Sequence, residues 1–116
     1  MFRNEGLNMD LANIENATEW FNVLQTSKRI QTAMMTLAPG EKSGRTAEAH
    51  KKSDQVLLML LGKLSGTVGP ETVNLKKGDV LLIRAGTRHR FVNSGRRKAV
   101  TFNVYSPPEY PPGMKG

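Results

Sequence analysis

Turn-forming residues punctuate this sequence at short intervals, and that feature restricts the chain to a β architecture. Candidate turns fall at Thr26-Ser27-Lys28, Pro39-Gly40-Glu41, Gly69-Pro70, Lys76-Lys77-Gly78-Asp79, Ala85-Gly86 and Asn93-Ser94-Gly95. The segments between them have strand length. Residues 20–25 and 30–37 read as an opening pair, and 47–50 as a short strand. Segments 56–61, 64–68, 72–75, 80–84, 89–92 and 99–105 complete the set. Val56 to Leu61 is apolar at every position, which suits a strand buried on both faces or one that lies in an interface. Only residues 7–18 have helical potential, and their asparagines oppose it. Many short strands without a strong helix indicate an all-β sandwich, barrel or jelly roll.

A chain of 116 residues is long enough for one such domain with a real core. Cysteine is absent, so no disulfide framework exists and any metal must be held by nitrogen and oxygen. The first ten residues lack the apolar core of a signal peptide, and the longest apolar run is too short to span a bilayer. The expectation is a cytoplasmic protein without a membrane partner. The net charge of +7 invites a nucleic-acid reading. The basic residues, however, come as separate groups on expected loops, Lys51-Lys52, Lys76-Lys77 and Arg96-Arg97-Lys98. Aromatic residues are only 6% of the chain, too few for a base-stacking platform. Solvated loops, or the steering of an anionic small molecule, account for the charge better than nucleic acid does. The segment from Ser106 onward carries Pro107, Pro108, Pro111 and Pro112. It is expected to stay out of the sheets, extended over the surface or disordered.

Only two histidines are present, and both sit where chemistry is plausible. His50 follows Glu48 by two residues, so on a strand both side chains share a face. Gln55 opens the next strand after a short loop, and His89 begins a later one just past Gly86. A carboxylate, two imidazoles and an amide oxygen meeting inside a barrel suit Mn, Fe, Co, Ni or Zn. Taken singly, each of these residues also has an ordinary structural reading as a hydrogen-bonded or exposed position. Met34, Met35 and Met59 read as core filling more than as pocket lining. Arg88 and Arg90 flank His89 and should point away from it. Trp20 and Phe21 can pack under a barrel or across a dimer.

Two spacings carry further meaning. Glu48-Ala49-His50, four residues, Gln55, six residues and Gly62 follow the pattern G-x5-H-x-H-x(3,4)-E-x6-G from its H-x-H onward. Gly78, Gly86, His89 and Asn93 stand in register with G-x5-P-x-G-x2-H-x3-N. On these motifs the sequence, from about residue 30 to 105, resembles the cupin family. The departures are Glu48 for the first His, Gln55 for the Glu, Arg84 for the Pro and Lys42 for the first Gly.

The resemblance implies a double-stranded β-helix, or jelly-roll barrel, over about residues 20–105 of a single domain, 1–116. Residues 1–19 would form an N-terminal arm and 106–116 a proline-rich tail. It implies one divalent metal (Mn, Fe, Ni or Zn) held by Glu48, His50, Gln55 and His89. In that set the carboxylate has changed place but the ligand charge is unchanged. It also implies a homodimer and a small-molecule substrate or ligand. The function that follows is a metal-dependent enzyme, dioxygenase- or sugar-isomerase-like. Glu48 would become a general base if it hung free of the metal. The alternatives are a non-catalytic ligand-binding cupin with a structural metal or none, and a regulatory accessory domain.

Overall fold

The computed structural model describes residues 9–116. After one 3-10 turn, Ile14–Asn16, come eight strands. They are β1 (Phe21–Thr26), β2 (Gln31–Leu37), β3 (Asp54–Leu61), β4 (Lys63–Val68), β5 (Glu71–Lys76), β6 (Val80–Ile83), β7 (His89–Val92) and β8 (Ala99–Ser106). Every pairing is antiparallel, in a five-stranded sheet ordered β1-β2-β8-β3-β6 and a three-stranded sheet ordered β5-β4-β7. The expected all-β cupin jelly roll is therefore what the chain forms.

Alternation along the strands explains how the sheets close on one another. Ala33, Met35 and Leu37 on β2, Leu57 and Met59 on β3, and Ala99 and Tyr105 on β8 all point inward and are buried. Leu64, Leu75, Ile83 and Phe91 meet them from the remaining strands. Burying one such aliphatic side chain stabilises the fold by about 1.5–3 kcal/mol. Gly62 turns β3 into β4 where no side chain fits. A Cβ there would lie 2.5 Å from the Lys98 carbonyl oxygen, and its φ is +74°.

Three expectations change and a fourth is refined. Residues 7–18 do not form an α-helix; within the described part only the 3-10 turn appears, capped by the Asn13 side chain on the Glu15 N–H. Leu7 and Asn8 lie outside the described residues. Residues 47–50 do not form a strand. They contribute one isolated bridge, Glu48 to His89. A side chain holds the segment there, where Arg88 donates to the Ala47 carbonyl at 2.8 Å, and just before it Arg90 donates to the Gly44 carbonyl at 2.7 Å. Strand β3 is buried on one face only, because Val56 and Leu61 on its other side are exposed. Lastly, the proline-rich tail beyond Ser106 stays out of both sheets, as expected, but is tied to the edge of one. Past its prolines, Lys115 bridges Asn22 of β1, and the Val23 N–H reaches the Met114 carbonyl at 2.8 Å.

Candidate metal centre

The two motifs converge through the backbone before their side chains meet. Glu48 and His89 exchange both main-chain hydrogen bonds, at 3.1 and 2.9 Å, and the Gly86 N–H reaches the His50 carbonyl at 2.7 Å. That last bond needs the turn at Gly86, whose φ is +84°. Arg84 takes the family's proline position without loosening the turn, because the Ala85 N–H is held by the Asp54 carboxylate at 2.9 Å. Asn93 closes the second motif from a fully buried position. Its amide nitrogen donates to the carbonyls of Leu37 and Arg97, and its oxygen accepts from the Gly95 N–H.

These contacts surround a cavity of about 280 Å³ at one end of the barrel. His50, Gln55, His89 and Asn103 stand together on its polar side, and Glu48 lines it from an exposed position on the rim. Aromatic walls come from Phe21, Phe91, Tyr105 and Tyr110, with Trp20 at 43% exposure. Met35 lines the cavity, whereas Met59 fills the core; Met34, on the other face of β2, is buried too.

The polar side has a readable hydrogen-bond order. Asn103 spends its amide nitrogen on the Thr101 hydroxyl at 2.9 Å and the Ala33 carbonyl at 3.4 Å. Its oxygen therefore accepts from Gln55 Nε2, at 3.0 Å. That contact turns Gln55 Oε1 toward His50 Nε2, 3.2 Å away. On the opposite side of the ring, His50 Nδ1 lies 3.2 Å from Glu109 Oε2. His50 thus faces an acceptor at each nitrogen, and a neutral imidazole can donate to only one of them. His89 Nδ1 is 2.9 Å from the Thr87 carbonyl, which can only accept, so its Nε2 is left with a free lone pair. The two imidazoles lie 4.9 Å apart, centroid to centroid. Burial pushes His89 below the ordinary imidazole pKa and His50 adds to that, while the Thr87 carbonyl opposes it.

The chemistry of this set suits a divalent transition ion: His50 Nε2 and Gln55 Oε1 face each other at 3.2 Å, and His89, anchored at Nδ1, lines the same cavity. Among the described residues no three His, Asp or Glu side chains already stand close enough to hold an ion. The structure brings His50, Gln55 and His89 together and leaves Glu48 at the rim. Sequence reasoning missed Glu109, Tyr110, Gln31 and Asn103. Asn103 and Gln31 share the inward parity of Tyr105 and Leu37 on their strands, and that alternation was the available signal.

The barrel's opposite end carries the basic residues. Lys63, Lys76, Lys77, Arg96 and Arg97 surround a shallow groove of about 560 Å³, so groups far apart in sequence are gathered by three neighbouring turns. Lys51 and Lys52 lie apart from it, exposed beside His50.

The comparisons with known proteins agree with the fold. A family model described as "Cupin domain" matches residues 33–105. The chain is 28% identical over 113 residues to the uncharacterized protein YrkC of Bacillus subtilis (strain 168), covering 89% of this chain and 60% of that one. It is 38% identical over 69 residues to the tetracenomycin polyketide synthase protein TcmJ of Streptomyces glaucescens, covering 59% of this chain and 45% of that one. The chain thus spans less than two thirds of either curated relative. Among solved structures, BH2720 of Bacillus halodurans superposes with a TM-score of 0.83 at 26% identity, covering 96% of this chain and 90% of that one. With both motifs converging on one cavity and a family match across most of the barrel, the chain belongs to the cupin family.

Proposed function

We propose that this cupin binds one divalent transition metal (Mn, Fe, Ni or Zn) through His50, Gln55, His89 and Glu48, and acts as a metal-dependent enzyme on a small oxygenated substrate. The observation that carries this reading is the opposed pair His50 Nε2 and Gln55 Oε1, at 3.2 Å. With Nδ1–H given to Glu109, both atoms present lone pairs, and a cation between them satisfies both. Glu48, on the exposed rim of the same cavity, would complete the set. A metal held there supplies Lewis acidity toward a carbonyl or enediol oxygen. The cavity suits a small molecule, with aromatic walls for its carbon skeleton. Dioxygenase- and sugar-isomerase-like reactions both fit that description.

A second reading has its own support. An imidazolium at His50, protonated on both nitrogens, would satisfy Gln55 and Glu109 without any metal, leaving a non-catalytic ligand-binding cupin. Elemental analysis after reconstitution separates the two. One equivalent of metal per chain, lost in Glu48→Gln, supports the first. Under a tenth of an equivalent after reconstitution supports the second.

The outer face of the five-stranded sheet supports a homodimer. Register places Val56 beside Leu82 and Val104, and Leu58 beside Val80 and Phe102. Val80 is 67% exposed and Leu82 48%, an apolar surface on an edge strand that a second copy would cover. Among the described residues no helix is long and apolar enough to cross a membrane.

A further inference from the structure

The geometry points to Glu109, carried in by the C-terminal segment, as a positioning residue of the metal site that holds His50 Nδ1–H and so directs Nε2 at Gln55 Oε1. This rests on the metal reading above and extends it to a residue outside both motifs.

Three observations support it. The first is the contact itself, Nδ1 to Oε2 at 3.2 Å, between side chains that are 14% and 27% exposed. The second is that Glu109 is held in place by its surroundings. Its N–H and that of Tyr110 both donate to the oxygen of the fully buried Gln31, at 3.1 and 2.9 Å. Gln31 Nε2 donates in turn to the Tyr110 carbonyl at 2.8 Å and the Thr26 hydroxyl at 2.9 Å, so every hydrogen-bonding position of that amide is used. Ser53, just after the His50 loop, donates its hydroxyl to the Pro107 carbonyl at 2.7 Å. The tail is thereby fixed on both sides of Glu109. The third is the parallel with His89, whose Nδ1 meets the Thr87 carbonyl. Both rings are anchored at Nδ1 and both turn Nε2 inward. Ligating imidazoles need this arrangement, in which an acceptor at one nitrogen fixes the tautomer and orients the other. Glu109 also brings negative charge to His50 in a structure where Glu48 stands exposed at the rim.

The test compares the parent with Glu109→Ala and Glu109→Gln in two measurements. Ni²⁺ titration by calorimetry reads affinity. Nitrogen NMR of the His50 ring in metal-free protein, at one fixed pH, reads which ring nitrogen carries the proton. Glu109→Ala should weaken Ni²⁺ binding by about 10- to 100-fold. It should also move His50 Nδ1 from the protonated to the lone-pair range. Glu109→Gln keeps an oxygen acceptor of the same reach and should recover most of both effects. Melting curves for each variant check that the fold is kept. An unmoved Nδ1 signal in folded Glu109→Ala overturns the proposal. So does equal loss in the Ala and Gln variants, which would assign the effect to charge alone. If the parent binds no metal yet Nδ1 shifts in Glu109→Ala, the positioning stands and the metal reading fails.

Discussion

Gln31 grips Tyr110 by both of its backbone polar groups, accepting from its N–H at 2.9 Å and donating to its carbonyl at 2.8 Å. One buried amide thereby joins the tail to β2. Gln31→Leu should cost about 1–3 kcal/mol of stability, because it strands buried polar groups on its partners. The same change should raise amide exchange across residues 107–116 while the β3–β8 ladder stays protected. Unchanged exchange in the tail would show that the clamp is not what holds it.

The chain's two tyrosines, Tyr105 and Tyr110, meet edge to face with ring centroids 5.3 Å apart. Burial raises the Tyr105 phenol well above its ordinary pKa and moves that of Tyr110 in the same direction. A raised folded-state value means the stabilisation is complete below the unfolded value of about 10 and is lost as pH climbs above it. Phenolate absorbance should therefore stay low through pH 10–11 and then rise together with loss of the folded circular-dichroism signal. Ionisation of either tyrosine near pH 10 in the intact fold would contradict this.

Within the proposed metal site the ligands should not weigh equally. Imidazole binds late divalent ions more strongly than a neutral amide oxygen does. His89→Ala should therefore lose more Ni²⁺ or Zn²⁺ affinity than Gln55→Ala in a direct titration. Gln55→Glu should raise affinity by adding a second carboxylate. Equal losses in the two alanine variants would overturn the ranking.

The proposed homodimer is tested on the outer sheet face. Leu82→Glu, on the edge strand and half exposed, should convert a dimer to a monomer in sedimentation with little effect on the melting temperature. A parent that sediments as a monomer at high concentration would remove that part of the reading.

Much of the fold could be read from the sequence, since turn residues bracket nearly every strand and Gly78, Gly86, His89 and Asn93 keep their spacing. The site was half legible. His50, Gln55 and His89 come from strand starts and turns, where local spacing sets direction. Glu109 was hidden because proline content argues against pairing and says nothing of where a segment lies. Its place depends on Gln31, 78 residues away in sequence. The short strand expected at 47–50 failed because only Glu48 pairs there, with His89, while the Ala47 carbonyl is held by the Arg88 side chain.

Trp20 is the only tryptophan in the chain, and it stands at the cavity with its ring 5.6 Å from that of Phe21. Its indole samples both solvent and the cavity lining. The protein therefore carries its own fluorescent reporter at the site, and candidate ligands can be screened by emission alone, without a label and before any substrate is known.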